Sequence, residues 1–205
     1  EYTGDPQKVE ITDVEIDYLL TVTNSHFKKQ LTRADIVSQY SGVRALCDYE
    51  SDNPSAITRD YTLALQAEDK TTPLLSVFGG KITTYRKLAE AALEHLAPFF
   101  NDMAEEWTAD EALPGAENWT TLDDLINQIK TRVSRISDAL ANRWAHAYGT
   151  RVWNMLKERN AIEQLGQHFG HDLFECEVRY LCEYEWAHTA EDILWRRSKL
   201  GLAFN

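Results

Sequence analysis

The strongest constraint on the fold is a short apolar run that ends at two glycines and is followed by a helical pattern. The run Leu74–Phe78 is nearly continuous in apolar residues, as in a buried strand. The apolar residues after it recur at helical spacing: Leu88, Ala89, Ala92, Leu93 and Leu96. The element type therefore changes at Gly79 and Gly80, because paired glycines permit a positive φ and a close approach by another group. We predict a strand, a tight turn and a helix over Thr83–Leu96 that is capped by a threonine at its start.

The turn between strand and helix has the character of an anion site. It offers bare N–H groups and the positive end of a helix dipole, with Lys81 and Arg86 nearby. It is not a P-loop, because that motif needs a glycine where Leu75 stands and a hydroxyl residue where Ile82 follows the lysine. ATP and GTP are therefore not implied. A purely structural role, in which the glycines only let the helix pack closely on the strand, stays open because so short a motif is weakly specific.

Composition excludes several classes of function. The 205 residues are 43% hydrophobic and 11% aromatic, which is enough for one large domain or two small ones with real cores. A formal net charge of −12 disfavours binding to nucleic acid or to anionic lipid. No apolar run approaches the ~20 residues that span a bilayer. Three cysteines without CxxC spacing, Cys47, Cys176 and Cys182, favour reduced thiols in a cytoplasmic setting.

The first half of the chain reads as α+β. Thr12 and Glu15 form a capping box that predicts a helix to about His26, and a second box at Thr32 and Asp35 precedes an extended run. After a polar loop, alternation predicts a strand over Ile57–Leu65 with Arg59 on its more apolar face. This strand and the one before the glycines should form a small, mostly antiparallel sheet. We assign residues 1–102 to this domain.

The second half reads as an all-α bundle. Residues 103–119, which contain Pro114 and Gly115, lack periodicity and are predicted to be a linker. Residues 120–205 carry helical patterns with caps: one helix starts at Thr121, one runs from Ser137 to Gly149, and three begin near Val152, Leu173 and Thr189, the last ending at Gly201. The tryptophans of this half are predicted to lie in its core: Trp144, Trp153, Trp186 and Trp195.

Four segments resemble the FAD-dependent glycerol-3-phosphate dehydrogenases of respiratory metabolism. They are YSGVRALCD at Tyr40–Asp48, SAITRDYTL at Ser55–Leu63, FGGKITTYRKLAE at Phe78–Glu90 and LWRRSKLGL at Leu194–Leu202, in the family's order. The resemblance is densest between residues 40 and 90 and sparse between 103 and 163. No GxGxxG motif occurs in the chain. The resemblance therefore implies a C-terminal fragment that lacks the flavin-binding N-terminal region.

The resemblance implies that the whole enzyme oxidises sn-glycerol 3-phosphate to dihydroxyacetone phosphate and passes electrons through FAD to a quinone. It places Arg44 and Arg59 at substrate-binding positions. Arginine suits this role, because its planar fork donates bidentately to a phosphate dianion. Without the resemblance, arginines near a sheet surface are more often solvated or ion-paired.

The resemblance also assigns roles to the glycine turn. It implies cofactor-binding residues at Gly79, Gly80, Lys81, Ile82 and Thr83. Lys81 is expected to be the catalytic residue, since a cation there would stabilise the negative charge that grows as hydride leaves the substrate. FAD is expected in the full-length enzyme and is not expected to be held by this chain alone.

Other predictions concern partners. The resemblance implies a cytoplasmic enzyme that contacts the inner face of the cytoplasmic membrane at most peripherally, and through the missing part of the enzyme. No basic run in this chain compensates its net negative charge. A homodimer stays open. Two rival functions remain: an acidic helical interaction or dimerisation module supported by the sheet, and an independent phosphate-binding protein. His168 and His171 lack an organised third ligand, so no metal site is predicted. Arg196, Arg197 and Lys199 are expected to form a solvated helix face.

Overall fold

The structure is a computed structural model that describes residues 2–43, 61–67, 72–118 and 121–204. The chain divides into two compact units, Glu1–Glu111 and Ala112–Asn205. Helices are combined with two small antiparallel sheets, each of two strands, in the described residues. The predicted α+β class is confirmed.

The first unit begins with the capped helix that the sequence predicts. Helix α1 spans Asp13–His26, and its capping box is complete: the Glu15 N–H donates to Thr12 Oγ1 (3.3 Å) while the Thr12 N–H donates to Glu15 Oε2 (2.8 Å). The second predicted box caps a 3₁₀ turn at Arg33–Asp35. A further 3₁₀ turn lies at Pro6–Lys8. These short-range signals are confirmed because both partners lie within three residues of each other.

The hairpin and helix of the first unit also follow the prediction. Strand β1 (Tyr61–Gln66) pairs antiparallel with β2 (Leu74–Gly79), in a register that sets Tyr61 opposite Gly79. The start of the predicted strand at Ile57 lies outside the described residues. A 3₁₀ turn at Ile82–Thr84 leads into α2 (Tyr85–Leu96), and another 3₁₀ turn follows at Ala97–Phe99.

The second unit is mostly helical. Its helices are α3 (Leu122–Arg132), α4 (Asp138–Tyr148), α5 (Val152–Leu156) and α6 (Glu175–Tyr184). Short 3₁₀ turns lie at Gly149–Arg151, Ile162–Gln164 and Leu200–Leu202. Thr121 and Ser137 cap α3 and α4 as predicted. The unit is not purely helical, however, because β3 (His168–Gly170) and β4 (Leu173–Phe174) form a small hairpin before α6.

The predicted last helix is wrong in its extent. The segment Asp192–Arg197 is a π-helix, and Lys199 then adopts a left-handed conformation with φ of 60°. Gly201 does not end a helix; a Cβ there would lie 2.4 Å from the ring of Trp195. The close Trp195 ring therefore explains why position 201 is glycine. The helical segment itself ends at Arg197, four residues before Gly201.

All buried apolar side chains of the described residues belong to the second unit. They come from α3 to α6 and from the segments between these helices: Leu125, Ile126, Ile129, Val133, Leu140, Ala141, Trp144, Ala145, Tyr148, Val152, Met155, Leu156, Leu165, Leu173, Phe174, Cys176, Tyr180, Leu181 and Ala187. Trp144 is confirmed as a core residue, and Trp153 packs against the core while partly exposed. The prediction that Trp186 lies in the core is wrong, because its side chain is 79% exposed. Trp186 follows the end of α6 with a left-handed φ of 55°, which turns the side chain outward.

Part of the segment predicted to be a linker is packed into the second unit. Gly115 is buried, and its carbonyl accepts a hydrogen bond from the Thr150 N–H (2.9 Å). A Cβ on Gly149, whose φ is 53°, would lie only 1.9 Å from that same carbonyl oxygen. Gly149 is therefore needed for both its conformation and its close contact, beyond the helix-ending role predicted for it.

Candidate functional site

The glycine turn has the backbone conformation that the sequence predicts. Gly79 has φ of 74° and Gly80 has φ of 101°, a region that residues with a side chain rarely adopt. A Cβ on Gly80 would meet Tyr61 and Leu88 only at ordinary contact distances of 3.6 and 3.8 Å. At Gly80 the backbone conformation, rather than a close approach of helix to strand, is therefore what requires glycine.

The residues after the turn begin a continuous helical segment. The Thr84 N–H and the Thr84 hydroxyl both donate to the Lys81 carbonyl, each at 3.0 Å. The sequence predicts a cap by Thr83 or Thr84, but Thr84, which stands at the N-cap of the helix, forms no side-chain cap because its hydroxyl donates to this carbonyl instead. The N–H groups of Ile82 and Thr83 lie in the first turn, where a helix has no carbonyl of its own to accept them.

The side chains around these N–H groups are open to solvent. Lys81, Ile82 and Thr83 are all exposed, and the apolar Ile82 is 89% exposed. Among the described residues Lys81 forms no ion pair. The turn therefore presents an ammonium group and two amide donors on one short stretch of backbone, a donor set that suits an anionic or electron-rich oxygen.

Arg86, which the sequence placed near the anion site, is engaged elsewhere. Its Nη1 donates to Glu90 Oε1 at 2.8 Å and to the Thr108 hydroxyl at 3.3 Å. Lys87 Nζ lies 2.9 Å from Glu90 Oε2, and the Thr108 hydroxyl also donates to Glu90. The positive charge available at the turn is therefore that of Lys81.

Glu90 is the buried centre of this cluster, and its side chain is only 5% exposed. Hydrogen bonds from Thr108 and Lys87 lower the pKa of Glu90 even though burial acts in the opposite direction. The cluster ties α2 to the segment around Thr108. Sequence reasoning missed it, although Arg86 and Lys87 at i−4 and i−3 from Glu90 are a recognisable helical charge pattern.

The two predicted substrate-binding residues, Arg44 and Arg59, lie outside the described residues. The structure therefore does not place them relative to Lys81. Their assignment stays a prediction, whereas the five turn residues are seen to be consecutive and accessible.

A second buried carboxylate, Glu177, lies in the helical unit and was also missed. It is fully buried and accepts hydrogen bonds from Arg143 (2.5 and 2.7 Å), from Trp144 Nε1 (3.0 Å) and from the Tyr148 hydroxyl (2.5 Å). Burial raises the pKa of Tyr148, and the charge of Glu177 adds to this effect. The available signal was a glutamate on the face of α6 that also carries Cys176, Tyr180 and Leu181. This cluster is enclosed in the core and has the character of a structural network.

Neither a metal site nor a membrane-spanning helix is found in the described part of the chain. No group of three or more His, Cys, Asp or Glu there is arranged to hold a metal ion. None of the helices in the same ranges is long and apolar enough to cross a membrane.

Comparison with known proteins identifies the family. Residues 106–204 match the family described as the C-terminal domain of alpha-glycerophosphate oxidase. A glycerol-3-phosphate dehydrogenase of Pseudomonas aeruginosa is 57% identical over 202 residues, which cover 98% of this chain. The chain belongs to the glycerol-3-phosphate dehydrogenase family. The glycine turn therefore lies in a region shared with glycerol-3-phosphate dehydrogenases.

Other relatives are also phosphate dehydrogenases, and the comparison shows what share of their length this chain covers. The aerobic glycerol-3-phosphate dehydrogenase of Escherichia coli is 49% identical over the whole chain, and a D-erythritol 1-phosphate dehydrogenase of Brucella abortus is 43% identical over 97% of it. The chain spans only about 40% of the length of these relatives: 40% of the Pseudomonas aeruginosa protein, 41% of the Escherichia coli protein and 39% of the Brucella abortus protein.

Proposed function

We propose that this chain is part of a flavoprotein dehydrogenase that oxidises sn-glycerol 3-phosphate to dihydroxyacetone phosphate. The observation that carries the proposal is the 57% identity to a glycerol-3-phosphate dehydrogenase over 98% of the chain, a stretch that includes the glycine turn. At this identity the same backbone conformation is expected in both proteins. The turn residues would then serve the same reaction.

The donors of the turn fit a flavin, which accepts a hydride when it is bound to such an enzyme. The ring carries carbonyl oxygens at one edge, and the amide groups of Ile82 and Thr83 lie where a helix start needs acceptors. Gly79 and Gly80 leave the backbone without side chains beside these donors. Gly79, Gly80, Lys81, Ile82 and Thr83 would hold the cofactor.

Lys81 would act on the reacting atoms. Its ammonium group is exposed and unpaired among the described residues, so it is free to approach the substrate hydroxyl oxygen or the electron-rich ring edge. Negative charge grows there as hydride departs, and a fixed cation stabilises that charge more than it stabilises the ground state. Arg44 and Arg59 would bind the substrate phosphate through bidentate hydrogen bonds.

The substrate class is a polyol phosphate, and one relative suggests a second member of it. The Brucella abortus relative is named D-erythritol 1-phosphate dehydrogenase and is 43% identical. A phosphate held by arginines would serve either substrate. The higher identity of the glycerol-3-phosphate dehydrogenases favours the three-carbon substrate.

The resemblance also motivates the remaining assignments. We infer that a quinone takes the electrons, and that the full-length enzyme is cytoplasmic with peripheral contact to the inner face of the cytoplasmic membrane. A homodimer is compatible with these assignments. Each of them concerns the full-length enzyme.

The test uses a chimera in which this chain replaces the 202 matching residues of the Pseudomonas aeruginosa enzyme. We expect the chimera to bind FAD and to oxidise glycerol 3-phosphate faster than erythritol phosphate, with an artificial electron acceptor or a quinone analogue. The 205-residue chain alone should neither turn over nor hold flavin. A folded, flavin-loaded chimera without activity towards either substrate would contradict the proposed function.

A further inference from the structure

The first unit lacks a core of its own among the described residues. Among the described residues between 2 and 111, only Glu90 is buried. Every other described side chain in this range is at least partly exposed. The second unit, of similar size, encloses a full apolar core. Burial of apolar area is the main source of protein stability. The apolar surface that the first unit leaves exposed is therefore suited to contact with a partner.

Helix α1 shows where this surface lies. Its polar side is bound by Arg33, which donates to Asp13 (2.6 Å) and Asp17 (2.9 Å). Ile16 and Leu20 on the next side are half-buried, and with Ile36 they line an apolar cavity of about 440 Å³. One side of the helix is therefore ion-paired, and a second side is partly covered.

The remaining side of α1 is apolar and open. It carries Val14, Tyr18 and Val22 at spacings of four residues, and Leu19 joins it to the half-buried side. Val14 is 79% exposed and Tyr18 is 66% exposed. A helix that is apolar around so much of its circumference is normally enclosed in a protein interior. We call these four residues the α1 apolar face.

The β1–β2 hairpin of the same unit also leaves apolar side chains exposed. It has two strands in the described ranges, and α2 packs against both of them. Leu74, Val77 and Phe78 of β2 nevertheless remain exposed. Hairpins of two strands are marginal in water and usually gain stability from further strands or layers.

We propose that the α1 apolar face is an interdomain contact, covered in a full-length protein of this family by the part of the polypeptide that lies outside this chain. The chain spans about 40% of the Pseudomonas aeruginosa relative, so in that protein more than half of the polypeptide lies outside the matching region and is available as the occupant. A second copy fits less well, because four side chains provide far less than the ~800 Å² per partner of a stable interface. The proposal rests on family membership and surface chemistry, independently of the catalytic role of Lys81.

The test compares thiol labelling in the 205-residue chain and in the chimera described above. Val14→Cys and Tyr18→Cys are labelled with a maleimide, and Lys28→Cys, at an exposed position beyond the end of α1, is the control. Mass spectrometry of peptides separates these sites from the native cysteines. In the chimera, labelling at positions 14 and 18 should slow at least tenfold relative to the chain alone, while labelling at position 28 stays unchanged.

Equal labelling of positions 14 and 18 in both proteins would overturn the proposal. Slow labelling in the chain alone, even at high dilution, would overturn it too, since the chain itself would then cover the face. Protection in a chimera that lacks dehydrogenase activity would support the contact while contradicting the proposed function, so the two failures are distinguishable.

A second measurement tests the same contact if the cysteine variants of the chimera fold poorly. Tyr18→Lys should leave the thermal transition of the 205-residue chain unchanged, because Tyr18 is exposed there, but should lower the Tm of the chimera by about 5 °C or more. Thr3→Lys adds the same charge at an exposed position and should change neither protein. An unchanged Tm of the Tyr18→Lys chimera would refute the contact.

Discussion

The guanidinium of Arg143 donates to both carboxylate oxygens of Glu177, at 2.5 and 2.7 Å, inside the helical unit. Arg143 also donates to the carbonyl of Asp172 at 2.9 Å, so it links α4 to α6 and to the turn between β3 and β4. Burial acts to lower the pKa of Arg143, but the hydrogen bonds and charge of Glu177 outweigh it and raise the pKa. Arg143 therefore keeps its positive charge in the folded state.

Removing the acid of this pair should destabilise the helical unit strongly. Glu177→Ala leaves Arg143, Trp144 and Tyr148 without their shared acceptor, and breaking a buried ion pair costs about 3–5 kcal/mol. Urea unfolding followed by tryptophan fluorescence measures the free energy of unfolding. Arg179→Ala is the control, since it removes an exposed pair with Glu175 and should change little. A comparable loss from both variants would contradict the role of Glu177.

The helical unit should fold without the first unit. A chain of residues 112–205 contains the whole apolar core and should show a cooperative thermal transition. A chain of residues 119–205 loses the hydrogen bond from the Thr150 N–H to the Gly115 carbonyl and the bond from the Thr150 hydroxyl to Glu117 (3.0 Å). Its Tm should be several degrees lower. If the longer chain shows no cooperative transition, the unit is not autonomous.

Acid should weaken the start of the π-helical segment. Hydrogen bonds from the His188 N–H and from Thr189 to Asp192, each of 3.0 Å, lower the pKa of Asp192 to about 2. An unfolded aspartate has a pKa of about 3.9. A lowered pKa in the folded state therefore contributes stability above that pH, and the contribution is lost as the pH falls towards 2. Asp192→Asn should therefore lower the Tm at pH 6, and the difference from the unchanged chain should shrink below about pH 4.

Calorimetry across this pH range measures the effect. Glu158→Gln is the matched control, because the Glu158 side chain is fully exposed and its ion pair with Arg132 is 4.0 Å long. Its Tm difference should be small at every pH. A difference for Asp192→Asn that persists unchanged at pH 2 would show that the hydrogen bonds to Asp192 are not the cause.

Substitutions in the chimera should separate the proposed roles of the arginines and the lysine. Arg44→Ala and Arg59→Ala should mainly raise KM for glycerol 3-phosphate, by about tenfold to a hundredfold, because a charged hydrogen bond contributes ~1.5–3 kcal/mol in ground and transition states alike. Lys81→Ala should instead lower kcat, because its partner gains charge only as hydride departs.

Rates in this comparison are expressed per bound flavin, since Arg59 could face the cofactor and its loss would then reduce flavin content first. Glycerol serves as the substrate control without a phosphate. An unchanged preference of Arg44→Ala for glycerol 3-phosphate over glycerol would rule out the phosphate-binding role of Arg44.

The candidate site was predictable only in part. The strand, the two left-handed glycines and the exposed lysine follow from one short stretch, because a turn conformation depends on its own residues. The engagement of Arg86 by Glu90 and Thr108 did not follow, because Thr108 lies 22 residues away from Arg86. Arg44 and Arg59 lie outside the described residues, so their proximity to Lys81 stays a prediction.

The sequence by itself determined the local structure: the capped starts of α1, α3 and α4, the glycine turn and the antiparallel hairpin. Their hydrogen bonds join residues that are close in the chain, so the chain needs no distant partner to specify them. Only the tertiary structure decided that Trp144 is enclosed while Trp186 is exposed, and that Glu177 is buried. Burial depends on which elements meet, and a buried carboxylate is stable only where distant donors such as Arg143 and Tyr148 converge on it.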